Sequence, residues 1–302
     1  DDPETAAFLQ QVTGIPLTQA PGILFGAVNS EFKGDRSEND FAPVISLNYQ
    51  MSDSTLIYGR YSGAAKSGGY NAEFMLAGLD NFEYDQETVD SYELGVKTTA
   101  FDETLRVNLA AFEMRFKDYQ VFQFLENANT GATSLELTNA GKVSVSGLEA
   151  EITWVPTENF RLLTNVTFLD AVYDEFANPG GGEAFTGNKL PYAPDLKYYV
   201  AGQYLVQLGG GNLVFDIDYT YVDDQFTDPG NLAVDAIDSY NLIGARAAYT
   251  PAEGNWELAL WGRNLGDEEY TVTNNDNFLG TPRTVWGNPR LYGMTFSYFF
   301  GG

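Results

Sequence analysis

Along most of its length the chain places an apolar residue at every second position, and the connections between these stretches alternate strictly between short and long. Leu213, Phe215, Ile217, Tyr219 and Tyr221 interleave with Val214, Asp216, Asp218 and Thr220, and Leu148, Ala150, Ile152 and Trp154 interleave with Glu149, Glu151 and Thr153. A two-residue period sends successive side chains to opposite faces of a pleated strand, so one face is greasy and the other polar. The pattern predicts about eleven strands, over residues 41–50, 56–64, 88–98, 105–125, 139–155, 160–173, 196–206, 213–221, 239–250, 256–265 and 290–300. Phase changes near Ala110 and Gly147 predict bulges.

The short connections, 51–55, 99–104, 156–159, 207–212 and 251–255, carry the Gly, Pro, Asn and Asp of tight turns. The long ones take every other place, at 65–87, 126–138, 174–195, 222–238 and 266–289. All long loops therefore leave one edge of an antiparallel meander and all short turns the other. A soluble sandwich has no reason to sort its loops this way. A barrel in an outer membrane does, because lipid cannot hydrogen-bond an open backbone and its two rims face different compartments. The expected fold is an all-β, antiparallel transmembrane β-barrel, and the lack of any window of about 18 apolar residues agrees with crossing by strands rather than helices.

The loop pattern also sets direction. The last strand descends from a long loop, which puts Phe300 at the periplasmic side, and the first strand descends too, which leaves residues 1–40 outside as extracellular loop or partial strand. An odd number of strands with ends on opposite sides cannot close antiparallel. The expectation is a C-terminal part of a larger barrel, cut inside an extracellular loop. A further strand around Gly22–Ser30 would instead give a self-contained twelve-strand barrel. The opening Asp1-Asp2-Pro3-Glu4 is not a signal peptide, so residue 1 is either a mature terminus or an internal cut.

Composition narrows the function. With no Cys and no His there is no thiolate nucleophile, no imidazole base and no Cys/His zinc site; neither a catalytic residue nor a cofactor or metal site is expected. Acidic clusters such as Asp223, Asp224 and Asp228 lack the spacing of a dedicated calcium loop. The formal charge is −26, from 42 acidic and 16 basic residues, and repels nucleic acid. Of the 42 acidic residues 27 fall in residues 1–40 and the five long loops, with five of the basic ones, so about −22 of the charge lies at the outer mouth. Those carboxylates either bridge to lipopolysaccharide phosphates through divalent cations, draw in a cationic or neutral ligand, or simply form a solvated surface.

Particular segments resemble one family. They are Tyr58-Gly59-Arg60-Tyr61-Ser62 with Lys66-Ser67-Gly68-Gly69-Tyr70-Asn71, then Tyr92-Glu93-Leu94-Gly95-Val96-Lys97, Ala111-Phe112 with Asp118-Tyr119-Gln120, and Ser146-Gly147-Leu148-Glu149-Ala150-Glu151 with Trp154. Leu190-Pro191-Tyr192-Ala193-Pro194, Gly262-Arg263-Asn264-Leu265-Gly266-Asp267 with Tyr270, and Pro289-Arg290-Leu291-Tyr292-Gly293 running to Tyr298-Phe299-Phe300 complete the set. Together, and in this order over residues 41–300, they resemble the TonB-dependent outer-membrane receptors of Gram-negative bacteria. The resemblance implies about eleven C-terminal strands of a 22-stranded barrel around an N-terminal plug, with the plug and the TonB-engaging segment absent from this chain. It implies uptake of a scarce ligand, a ferric siderophore first, with energy from a TonB complex; the alternative is a passive porin-like barrel without a plug. The family normally ends on an aromatic residue, whereas this chain ends Gly301-Gly302.

Side chains then divide by position. Tyr92, Trp154, Phe160, Trp256, Tyr292, Phe296 and Tyr298 lie in alternating strands and are expected in the lipid-facing belt. The loop aromatics Tyr70, Phe74, Phe82, Tyr84, Phe185, Tyr192, Phe226, Phe278 and Trp286 lie where an incoming ligand passes, and either stack on it or pack on one another. Lys66, Lys189 and Arg283 are the loop cations expected to meet an anionic metal chelate. Arg263 and Arg290, near strand ends, are expected to pair with lumenal carboxylates.

Overall fold

A computed structural model describes residues 34–71, 83–126, 133–139, 141–176, 185–276 and 282–300. The chain opens with hairpin β1 (Val44–Ser52) and β2 (Thr55–Lys66), above which a short pair, β3 (Gly69–Tyr70) and β4 (Glu83–Tyr84), branches off. Strands β5 (Glu87–Ala100) and β6 (Leu105–Lys117) follow, then the ribbon β7 (Gln120–Glu126) and β8 (Thr133–Asn139), then β9 (Gly141–Thr157) and β10 (Phe160–Phe176). Next come β11 (Leu196–Leu208), β12 (Gly211–Val222), the pair β13 (Gln225–Phe226) and β14 (Ala236–Ile237), and strands β15 (Tyr240–Pro251) and β16 (Trp256–Arg263). Ribbon β17 (Thr271–Asp276) and β18 (Pro282–Trp286) precedes the final strand β19 (Leu291–Tyr298).

Eleven of these form one antiparallel sheet in the order β1-β2-β5-β6-β9-β10-β11-β12-β15-β16-β19. Each wall strand pairs with its sequence neighbour in the wall, and the four remaining strand pairs sit in the long connections. Among the described residues β1 and β19 are not paired with each other, so the sheet has two open edges.

Register sorts the side chains. Leu94 is opposite Gly59 and Ala111, Ala111 is opposite Leu148, and Leu148 is opposite Phe168. One level down, Leu109, Ala150, Val166, Tyr198 and Tyr221 form a continuous row. Another row of the same face runs from Leu105 through Trp154, Leu162, Gly202, Ile217, Ala245 and Gly262 to Tyr292 on the last strand. These residues are far from buried: Leu94, Ile217, Leu260 and Phe296 are each about 60% exposed. Such a patch across eleven strands far exceeds what a soluble monomer exposes, and it is the outward belt of a barrel wall. The belt aromatics Tyr92, Trp154, Tyr292, Phe296 and Tyr298 are all exposed on it, as the sequence predicts.

The opposite face is polar. Arg246 reaches Asp216 at 3.6 Å and Glu257 at 2.5 Å, tying three strands together, and Asn108 donates to Glu151 at 3.1 Å. Arg263 does not pair with a carboxylate among the described residues; it lies over the Trp261 ring at 5.6 Å. Arg290 does find one, Asp267 at 3.0 Å, in the adjoining loop.

The predicted bulges near Ala110 and Gly147 are absent, since β5–β6 and β6–β9 pair without a shift. What breaks the alternation is aromatic cover on the lumenal face. The Tyr58 ring covers Gly95, where an added Cβ would come within 2.4 Å, and Phe112 covers Gly147, where it would come within 2.6 Å. Breaks in register occur instead at Gln50/Ser52, Phe160/Leu162 and Tyr173/Glu175.

The single strand expected over 105–125 is two, and the connection expected over 126–138 is in part the strand β8. Asp118, at φ 54°, and Gly141, at φ 115°, make the break. A Cβ at Gly141 would sit 2.5 Å from the Glu175 carbonyl, so this turn is open only to glycine. The Tyr119 N–H donates to the Gly141 carbonyl across the bend at 3.0 Å, and the ribbon leaves the wall at an angle.

Candidate functional site

The long connections gather at one end of the wall, and side-chain amides join them. On one side, Gln120 is buried: its N–H donates to the Glu87 carboxylate at 2.8 Å and its amide to the carbonyls of Ser67 and Asp85 at 2.9 and 3.0 Å. Asn139 accepts from the Asp85 N–H at 2.6 Å and donates to the Asp85 and Asp118 carbonyls. Asn71 exchanges two bonds of 2.9 Å with the backbone of Leu137, so that an amide side chain stands in for a neighbouring strand. Arg36 adds ion pairs to Glu38, Glu83 and Asp85.

On the other side the same device recurs. Asn231, held at φ 51°, accepts from the Lys189 N–H at 2.7 Å and donates to the Lys189 carbonyl at 3.0 Å, while Asn188 donates to the Pro229 carbonyl. The Tyr192 N–H donates to the Phe226 carbonyl at 2.8 Å, and the Tyr192 hydroxyl shares a 2.7 Å bond with Thr273 on β17. Asn274 donates to the Ala236 carbonyl at 2.6 Å, and the Thr227 hydroxyl donates to the Asn274 carbonyl. The described residues of loops 174–195, 222–238 and 266–289 are thereby one body.

An aromatic core joins the two sides. Val143, Tyr173 and Phe176 are buried together, with Phe116, Tyr119, Val121, Phe185 and Leu190 packed on them. Tyr173 meets Phe176 edge-on at 5.0 Å, Phe185 meets Phe176 at 4.8 Å, and Tyr119 reaches Tyr173 at 6.2 Å. Burial, reinforced by the Glu87 carboxylate, holds the Tyr119 phenol above its ordinary titration range. Edge-to-face geometry is the favoured packing of such rings and fixes their rotamers.

Against this frame the loop residues singled out from sequence separate. Phe185 belongs to the aromatic core. Lys189 is paired with Asp195 at 2.6 Å. Tyr84 is half-buried, its ring against Gly69, and Tyr70 beside it on β3 is half-buried as well. Lys66, at the top of β2, is exposed, and no ion pair holds its ammonium among the described residues. Phe226 is half-buried, and Tyr192, whose N–H its carbonyl accepts, has a ring that is 54% exposed. Trp286 is 63% exposed on β18, opposite Thr271, and Arg283 on the same strand is exposed without an ion pair among the described residues. Tyr192, Phe226, Arg283 and Trp286 thus belong to one loop body, and Lys66, Tyr70 and Tyr84 to the other. Phe74, Phe82 and Phe278 lie outside the described residues.

Sequence reasoning missed the amides. Asn71 and Leu137 are 66 residues apart, and Asn188 and Pro229 are 41 apart, so no local spacing discloses the pairing. The available signal is weaker: Asn188 and Asn231 each follow a glycine in a loop, where an amide is placed to bond backbone.

A family model described as TonB dependent receptor-like, beta-barrel, matches residues 23–265. The pesticin receptor of Yersinia enterocolitica is 29% identical over 180 residues, which cover 59% of this chain and 24% of that protein. The metal-pseudopaline receptor of Pseudomonas aeruginosa is 24% identical over 274 residues, 88% of this chain and 34% of that one. The crystal structure of the ferric yersiniabactin uptake receptor from Yersinia pestis superposes with a TM-score of 0.70 at 21% identity, covering 84% of this chain and 36% of that one. The chain therefore spans about a quarter to a third of the length of the relatives it matches.

Proposed function

The chain belongs to the TonB-dependent receptor-like β-barrel family of the Gram-negative outer membrane, and on that footing we propose that it is the C-terminal half of the barrel of an uptake receptor for a metal chelate, a ferric siderophore first. The family is one of receptors, not enzymes, and the work assigned to this chain is capture and passage without bond chemistry. Residues 41–300 supply wall strands of a 22-stranded barrel, residues 1–40 an extracellular approach, and the plug and TonB-contacting segment lie elsewhere in the intact polypeptide.

The observation that carries this reading is the loop array. Loops that only had to avoid obstructing a pore would not need reciprocal amide bonds such as Asn231 to the Lys189 backbone or Asn71 to Leu137. Ordering the loops before the ligand arrives removes an entropy cost from binding. Within the array Tyr192 and Trp286 keep exposed ring faces, and Arg283 keeps a guanidinium with no ion pair among the described residues, the chemistry that an aryl or carboxylate-bearing chelate needs. Uptake energy from TonB and outer-leaflet lipopolysaccharide as a neighbour complete the proposal. The names of the relatives, which include a metal-pseudopaline receptor and a ferric yersiniabactin uptake receptor, support the metal-chelate class.

Radiolabelled iron bound to a panel of siderophores, offered to cells carrying the intact receptor as their sole siderophore receptor, tests this. Uptake of at least one chelate is expected, and to cease in cells without TonB. The double variant Arg283→Ala/Trp286→Ala is expected to bind that chelate about tenfold more weakly, about 1.4 kcal/mol, with the barrel still heat-modifiable on gels. Unchanged affinity would remove the β17–β18 ribbon from the site, and uptake that persists without TonB would overturn the active-transport reading.

A further inference from the structure

The lumenal face of the wall is hollowed between β10 and β19. One residue out of phase with the apolar belt, Arg161, Gln203, Asp216, Arg246, Trp261 and Gly293 form an unbroken inward row across six strands. The next inward row on the loop side is Leu163, Ala201, Asp218 and Gly244. Small residues in both rows set the wall back, and the recess that results holds about 640 Å³. Small-molecule sites run from about 300 to 1,000 Å³, so a whole chelate fits a hollow of this size.

Its sides are held in place by their neighbours. Trp261 leans over Gly293, where an added Cβ would come within 2.5 Å of the ring, and the indole N–H donates to the Thr295 hydroxyl at 3.1 Å. The Asp218 carboxylate covers Gly244 in the same way. Asp216 is already engaged, by Arg246 at 3.6 Å and by the Gln203 amide at 2.7 Å, and Arg246 also holds Glu257. Arg161 and Arg263 remain, both exposed and neither in an ion pair among the described residues, with the Arg263 guanidinium over the Trp261 ring. The lining therefore carries three cations and two carboxylates, the reverse of the acidic mouth above it.

We propose that this recess is an inner station for an anionic metal chelate, a second binding site on the lumenal wall below the loops. Carboxylate or phenolate groups of the chelate meet Arg161 and Arg263, and its flat apolar part lies against Trp261. The inference rests on the uptake reading given above and adds to it a place on the wall where the cargo pauses after leaving the loops. An indole beside two guanidinium groups is chemistry for an anion that carries an aryl group, because a guanidinium both pairs with carboxylates and stacks on rings. A carboxylate from another segment of the protein would satisfy the arginines but leave the hollow between them unfilled. A compact molecule of a few hundred Å³ does both.

The test uses cells carrying the intact receptor and, as probe, the radiolabelled ferric siderophore of the panel above that the wild type takes up fastest. Wild-type uptake is measured first, so that a failure of the uptake reading shows before any variant is made. Ala201→Trp fills the recess, and Arg161→Gln/Arg263→Gln removes its two free cations. Each is expected to bind the probe at the surface of cells without TonB within twofold of wild type, and to lower TonB-dependent uptake at saturating probe at least fivefold. Arg161→Lys/Arg263→Lys is expected to keep at least half of the wild-type rate, and heat-modifiable migration checks that each barrel is folded. Uptake at the wild-type rate in the folded Gln variant would overturn the proposal, as would a loss of surface affinity in step with uptake, which would make the recess part of the outer site. Entry of a large antibiotic that wild-type cells exclude would also overturn it, by showing that the arginines seat the plug.

Discussion

An arginine in place of Val166 is expected to destabilise the folded barrel by about 2–4 kcal/mol, while an arginine in place of its neighbour Asn165 is expected to change stability by less than about 1 kcal/mol. The two positions differ by one residue of β10 and by everything in their surroundings. Val166 lies in the middle of the apolar row, opposite Ala150 and Tyr198, where a guanidinium would face hydrocarbon. Asn165 faces the lumen opposite Glu151 and Tyr199, where water and a carboxylate are at hand. Urea titration of the intact polypeptide folded into lipid vesicles, read by heat-modifiable gel migration, measures both. Equal costs at the two sites would mean that the faces have been assigned the wrong way round or that the sheet is not a membrane wall.

The alternation that makes this prediction possible was legible from the sequence because the period of a strand is two and the belt selects for it on every strand. Ile217 and Asp216, or Leu148 and Glu149, declare their faces without any knowledge of partners. The sorting of loops was legible for a related reason, since turn residues at 156–159 or 207–212 announce tight hairpins. What misled was a residue of one face covering a glycine on the next strand. Phe112 over Gly147 reads as a lost phase in a list of residues, although the ladder is unbroken. The loop array was not legible, because Gln120, Asn139 and Asn231 act on backbone groups far along the chain. For Phe185 the sequence leaves ligand stacking and loop packing both open, and the ring stands in the aromatic core beside Phe176.

Residues 1–302 expressed alone are expected not to insert as a closed monomer. Both β1 and β19 end the sheet with a row of N–H and C=O groups facing no strand among the described residues, and each such group costs several kcal/mol in hydrocarbon. Over an eight- or nine-residue strand, alternate backbone groups point outward, so the total far exceeds the roughly 5–15 kcal/mol that stabilises an ordinary domain. The isolated segment should remain urea-soluble or aggregate in the presence of vesicles, with no band that shifts on heating. A heat-modifiable monomer would show that it closes by itself, and the half-barrel account would fall.

The most direct measurement is the intact mass of the native polypeptide purified from outer membranes, with peptide mapping of its N-terminus. The account predicts a chain that extends upstream of Asp1 far enough to hold the remaining wall strands and a plug. A mature polypeptide beginning at Asp1 would contradict it and leave a smaller, plugless pore as the better description.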